Sequence, residues 1–300
     1  MSSPAGPPVP FAVRLQAALR AHGPLCVGLD PAPATLARWG LDDDVDGLRR
    51  FSDTVLDALA GRTALLKPQV AFYERFGSRG LAVLEDVLAR CRAEGQLVLA
   101  DAKRGDIGST AAGYAAAWCD DASPLAADAV TLSPYLGYGS LAPVVDAAVA
   151  SGRGVFVLCL TSNPEGAGVQ LAGPTPDGSP SVAAGVAAAA AADDAGLAPE
   201  HDVGPVGLVV GATVAPLLAR SGVRLDAVRG HLLLPGLGAQ GATPSDVAAT
   251  AAAAGVPPHR LVPSASREVL HAGPDVAALR EQAGRLAEQC AHALSRSGTG

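Results

Sequence analysis

Cysteine is sparse in this chain and never clustered. The five present, Cys26, Cys91, Cys119, Cys159 and Cys290, form no CxxC or CxxxC pair, so neither a zinc-ligand set nor a disulfide framework is encoded. They read as ordinary thiols of a reducing cytosol, and a cytoplasmic location is expected. Excess positive charge is also lacking. With 22 basic residues against 29 acidic ones, a net charge of −7, the chain has no general surface for a polyanion, so nucleic acid is not an expected partner and only a local cationic pocket remains open. No basic segment followed by an apolar stretch opens the chain, so residues 1–10 do not read as a secretory signal. The longest small-apolar run, residues 182–192, is alanine-dominated, stops at Asp193-Asp194 and is too short to span a bilayer. No membrane association is expected. The six histidines are scattered and none belongs to a recognisable motif, so they are assigned structural or solvated roles.

What the chain does have is alternation. Its 300 residues, 49% of them hydrophobic, suffice for a large single core. An amphipathic helix is expected over 11–21, where it would cap one end of the fold. Buried-type strands are expected at 25–29, 63–66, 96–103, 129–132, 154–160, 206–210, 231–234 and 261–262. Helical segments separate them at 45–60, 72–94 with a break near Gly77-Gly80, 109–120, 141–150, 181–195 and 214–221. A further helix starts at Thr243-Pro244-Ser245-Asp246, with Thr243 as N-cap and Asp246 reaching back, and the last covers 276–294. Eight strand–helix units with no internal linker predict one (β/α)8 TIM barrel at residues 10–294, flanked by disordered tails at 1–9 and 295–300. An open doubly wound sheet would need fewer strands or a visible second domain. The Gly/Pro-rich stretch 163–180 is expected to be a long loop without secondary structure, hence a lid or binding loop.

In such a barrel the active site is built at the carboxyl ends of the strands. The segment Asp101-Ala102-Lys103-Arg104-Gly105-Asp106-Ile107-Gly108-Ser109-Thr110 puts four charges into six positions directly behind an apolar run. Side chains two apart on a strand share a face, so Asp101 and Lys103 should point the same way. Other strand ends offer Asp30, Lys67, Ser162 and Arg267. After the seventh strand, Pro235-Gly236-Leu237-Gly238-Ala239-Gln240-Gly241 brings glycines whose backbone N–H groups could approach an anion. Arg267, after the eighth strand, could add a bidentate charge. These two loops are where barrels most often bind phosphate.

Taken in order, these residues resemble the orotidine 5'-phosphate decarboxylase family, in its longer bacterial subgroup. The resemblance runs from Leu25 to about Leu270. Its most specific part is DxKxxDI at Asp101, Lys103, Asp106 and Ile107; GLD ending at Asp30, LLKP around Lys67, TSNPEG around Ser162, PGLGAQG at 235–241 and SASR ending at Arg267 support it. It implies conversion of orotidine 5'-phosphate to uridine 5'-phosphate (UMP) and carbon dioxide, the last step of de novo UMP synthesis, with neither cofactor nor metal. Lys67, Asp101, Lys103 and Asp106 would form a catalytic Lys-Asp-Lys-Asp array in which Lys103 donates the proton. Asp106 and Thr110 would come from the second subunit of a homodimer that shares its active sites. Asp30 and Thr110 would contact the ribose of the nucleotide substrate, with Ile107 beside them. Ser162 would clamp the pyrimidine edge. Pro235, Gly236, Gly238, Gln240 and Arg267 would hold the phosphate, and 235–241 or 163–180 would form the lid.

Three positions depart from the pattern. Ser133 and Gly139 replace polar residues expected in an NPYxGxD-like stretch, and Glu268 stands where glycine is common, with its side chain expected to point away from the phosphate. Two other readings compete: a metal-dependent sugar-phosphate decarboxylase or aldolase of the same superfamily, in which a carboxylate would replace Lys67, and a non-catalytic nucleotide-binding barrel.

Overall fold

The side-chain alternation of eight short strands decides how this chain folds. Cys26, Leu65, Leu99, Ala129, Phe156, Val209, Leu233 and Val262, one from each strand, form a single buried apolar cluster together with Phe11, Leu15 and Leu19. Their neighbours in sequence, among them Val27, Leu66, Ala100, Val130, Val157, Leu208, Leu234 and Leu261, belong to a second and larger cluster shared with the helices. One face of each strand therefore looks into a barrel and the other looks out at a helical layer.

The computed structural model describes residues 8–175, 178–198, 200–238 and 241–297. Its strands are β1 (Cys26–Leu29), β2 (Leu65–Pro68), β3 (Leu99–Arg104), β4 (Ala129–Leu132), β5 (Gly154–Leu160), β6 (Val206–Val210), β7 (Leu232–Pro235) and β8 (Leu261–Ala265). They lie in the order β2-β1-β8-β7-β6-β5-β4-β3, and each pairing is parallel. Parallel bridges Leu66–Val98 and Gln69–Asp101 join the two ends of that order and close the barrel. The helix Phe11–His22 plugs its amino-terminal end, where the Phe11 ring meets Phe156 edge-on at 6.2 Å. The expected capping box is present: the Thr243 hydroxyl accepts from the Asp246 N–H, and the Asp246 carboxylate accepts from the Thr243 N–H.

Several expectations shift. Stretch 163–180 carries structure after all, a 3-10 turn at Pro164–Gly166 and a helical turn at Ala167–Gln170. Gln170 ties this segment back to the end of β5, accepting from the Thr161 N–H at 2.9 Å and donating to the Thr161 hydroxyl at 2.8 Å. Elements of three to six residues are too short to leave a helical periodicity, which also hid the six-residue helix Pro33–Arg38. The closing helix continues to Ser297, past the boundary expected for the tail. No helix of the described residues is long and apolar enough to cross a membrane.

Candidate active site

Two residues beyond the apolar interior layer, the inward-facing positions are Gly28, Lys67, Asp101, Thr131, Leu158, Gly211, Pro235 and Ser264, of which Lys67, Asp101, Thr131 and Ser264 are polar. Most of them line a cavity of about 280 Å³ at the carboxyl ends of the strands, together with Asp30, Gln69, Lys103, Ser162, Asn163, Gly236, Ser266 and Arg267. The barrel floor is thus apolar and its mouth is polar, with one step of strand between them.

Asp101 is the centre of the mouth. Its Oδ2 accepts from Lys67 Nζ at 2.9 Å and from Gln69 Nε2 at 2.9 Å; its Oδ1 accepts from Lys103 Nζ at 2.6 Å and from the Thr131 hydroxyl at 3.0 Å. Lys67 and Asp101 are 5% and 7% exposed, so these are interior ion pairs. Burial works against the Lys67 ammonium, yet the carboxylates of Asp101 and Asp30 hold its pKa above the ordinary lysine value. Burial works against the Asp101 carboxylate too, but the two lysines hold it well below the usual carboxylate range. Lys67 is therefore charged at neutral pH, and Lys103, the more exposed of the two lysines, faces the cavity.

Asp101 and Lys103 do share a face, but not as residues of a regular strand. Between the pairs Ala100–Val130 and Arg104–Leu132, three residues of β3 stand opposite Thr131 alone, a bulge of the kind that re-aims side chains beside active sites. Lys103 takes φ +48°, the one non-glycine residue with positive φ among those described. That conformation costs an L-residue about 1–2 kcal/mol. Gln69 and Thr131 were not singled out from the sequence. Thr131 could have been: it is the polar residue at an inward position of an otherwise apolar strand.

The opposite side of the mouth is more open. Asp30 Oδ1 is buried and accepts no hydrogen bond among the described residues. Gly28 leaves room for Ser266, whose hydroxyl would sit 1.9 Å from any Cβ placed there. In the loop after β7, Gly236, Gly238 and Gly241 take φ of +118°, +77° and +84°, values that L side chains rarely adopt. The Gly238 N–H is taken by the Ala242 carbonyl and the Gly241 N–H by the Gly238 carbonyl, so the loop lines the cavity through Pro235, Gly236 and Leu237 rather than Gly238. Gln240 lies outside the described residues. The exposed Arg267 reaches the cavity and forms no ion pair among those residues.

Residues 23–282 match the orotidine 5'-phosphate decarboxylase / HUMPS family. The chain is 55% identical over 287 residues to an orotidine 5'-phosphate decarboxylase of Salinispora arenicola, spanning 96% of this chain and 99% of that one. It is 54% identical to the enzyme of Streptomyces coelicolor, with 96% and 99% covered. A crystal structure from Streptomyces avermitilis, described as an orotidine 5'-phosphate decarboxylase, superimposes with a TM-score of 0.90 at 52% identity, covering 98% of this chain and 99% of that one. The chain belongs to the orotidine 5'-phosphate decarboxylase family.

Of the residues that the family resemblance points to, Asp30, Lys67, Asp101, Lys103, Ser162, Pro235, Gly236 and Arg267 converge on the one cavity. Asp106, Ile107 and Thr110 do not line it. The Asp106 carboxylate accepts from the Ile107 N–H at 2.8 Å, and Ile107 and Thr110 are exposed on the flank of the barrel. Glu268 does not line the cavity either, but its carboxylate is not remote from the loop: it lies against Gly238 and faces the Gln282 amide at 3.4 Å. Outside the mouth, His231 is buried before β7, where burial, with His259 and Arg260 adding to it, lowers its pKa to about 3. It takes no part in the site.

Proposed function

We propose that this chain decarboxylates orotidine 5'-phosphate to UMP and carbon dioxide, the closing step of de novo UMP synthesis, as a cytoplasmic homodimer with shared active sites. The observation that carries the reading is the buried Lys67-Asp101-Lys103 array under a cavity whose far rim holds Arg267 and the Pro235-Gly236 turn. Loss of carbon dioxide from C6 of the pyrimidine breaks a carbon–carbon bond and leaves the electron pair on a carbon with no conjugated sink. A fixed cation at that carbon lowers the barrier electrostatically. Lys103 is that cation, and its ammonium then gives C6 the proton, to be recharged from solvent. Asp101 keeps Lys103 aimed, and Lys67 secures Asp101 from below. Phosphate contacts at Arg267, remote from C6, supply binding energy that orders the site. Asp30 Oδ1, buried with no donor among the described residues, suits a ribose hydroxyl. A metal-dependent relative would need a carboxylate where Lys67 stands, and both oxygens of Asp101 are already taken by nitrogen donors and Thr131.

The dimer is supported by what the single chain leaves outside. Asp106 and Thr110 flank the mouth without entering it, beside exposed Ile107, Tyr135 and Leu136, and the Ser133 N–H ties the two loops by donating to the Arg104 carbonyl at 2.8 Å. An apolar flank of this kind fits a second copy of the chain. The direct test follows the loss of orotidine 5'-phosphate absorbance with purified protein in excess EDTA. Turnover unaffected by EDTA is expected; turnover that requires added metal points to the sugar-phosphate alternative, and none under any condition to the binding protein. For the shared site, inactive Lys103→Ala and Asp106→Ala chains should regain activity when mixed. No recovery after confirmed subunit exchange would sink the cross-interface assignment.

A further inference from the structure

We infer that Thr131 is a positioning residue for the proton-donating lysine, an inference that rests on the decarboxylase reading above. Its side chain is 1% exposed and stands alone opposite the three bulged residues of β3. The hydroxyl does two things at once. It donates to Asp101 Oδ1 at 3.0 Å and accepts from the Lys103 backbone N–H at 2.9 Å. Lys103 Nζ in turn donates to the same Oδ1 at 2.6 Å. The result is a closed ring in which one hydroxyl fixes both the backbone of the lysine and the carboxylate oxygen that aims its ammonium.

The ring explains how Lys103 stays at φ +48°. A bulge interrupts the ladder that would otherwise give the partly buried Lys103 N–H a carbonyl partner, and a backbone N–H left unpaired away from water is costly. The Thr131 hydroxyl stands in for that carbonyl, so the unusual backbone angle is held where a side-chain oxygen meets it. Removing the oxygen frees the backbone to relax toward a regular strand, which swings the ammonium away from its place beside Asp101. The phosphate side of the mouth, on β7 and β8, touches none of this. A change at Thr131 should therefore appear in kcat and spare substrate affinity.

Three proteins test this: wild type, Thr131→Val, which keeps the shape and loses the oxygen, and Thr131→Ser, which keeps the oxygen. UMP titration counts the binding-competent sites in each, and rates are expressed per site. Thr131→Val should lower kcat on the order of 10- to 100-fold with KM changed by less than about 3-fold, and Thr131→Ser should return kcat to within about 5-fold of wild type. Wild-type kcat in Thr131→Val, equal losses in both variants, or a loss confined to KM would overturn the inference. So would a Thr131→Val chain that binds no UMP, since Thr131 would then serve folding rather than position. An inactive wild type would instead count against the decarboxylase reading itself.

Discussion

The two ends of the barrel are built from the same eight strands two residues apart, yet they solve opposite problems. At the base, Cys26, Leu65, Leu99, Phe156, Val209, Leu233 and Val262 close on the helix Phe11–His22, and stability comes from apolar area removed from water. At the mouth, Lys67 and Asp101 are almost as well buried but carry full charges. Buried ion pairs are poor sources of stability, because desolvation offsets much of their attraction. Their presence one layer above a dry core shows that the fold's stability is supplied below so that charge can be held rigidly above. The base stabilises the fold, and the mouth holds the residues to which the chemistry is proposed to belong.

That division is broken or sharpened most directly at Lys103. Lys103→Ala should lower kcat on the order of 10⁴-fold, the combined loss of cation and proton donor, while thermal unfolding shifts little, because Lys103 is the exposed member of the array. Next is its mirror image at the base. Phe156→Ala should cost about 3–5 kcal/mol of stability, read as a lower denaturation midpoint, with KM near wild type in whatever remains folded. If Phe156→Ala cost activity per folded site as heavily as Lys103→Ala, the two layers would not be separable.

The ends should also respond differently to acid. Lys67, with its pKa raised in the folded state, contributes stability that is complete below the unfolded value near 10 and is lost only as pH rises beyond it. Asp101, with its pKa lowered, contributes stability that is complete above about 4 and is lost only in strong acid. The array is therefore indifferent to pH between those limits. His231 is not. Its folded pKa of about 3 lies below the unfolded value, so the unfolded chain binds the extra proton and the contribution of His231 to stability should fall by about 1.4 kcal/mol per pH unit on acidification below about 6.5, against an opposite contribution from buried Asp194, whose folded pKa is raised to about 6. Urea unfolding of wild type and His231→Gln between pH 7 and 5 measures this as the difference between their two slopes.

Smaller effects are expected across the mouth. Arg267→Ala should raise KM roughly 10- to 100-fold, the range for a lost charged hydrogen bond, with a lesser change in kcat; a pure kcat effect would move Arg267 out of the phosphate grip. Glu268→Gln should be the mildest, improving KM by no more than about 5-fold, since exposed charges are screened. No change at all would mean that its carboxylate against Gly238 does not reach the bound phosphate.

Much of this was legible in the chain itself. Strand-end charges, the Thr243-Asp246 cap and the order of the eight units all depend on local pattern, and local pattern survives in sequence because alternation and capping act over two to four residues; Asp101 and Lys103 share a face as alternation predicts, but through the bulge of β3 rather than a regular strand. The short turns at Pro164–Gly166 and Ala167–Gln170 did not show, because three or four residues leave no periodicity to read. Gln69 and Thr131 were missed for a different reason: each matters only through a residue on a neighbouring strand.

The sequence by itself determined which side chains of a strand share a face and at which strand ends apolar residues give way to charged ones. Only the tertiary structure decided which strands stand side by side, and with that the partners of Asp101: Lys67 and Gln69 across the β2–β3 closure, Thr131 across the β3–β4 bulge. Those contacts join residues about thirty positions apart. The backbone angle of Lys103 is likewise set by an oxygen on another strand, so no reading of the DAKRGD segment alone could contain it.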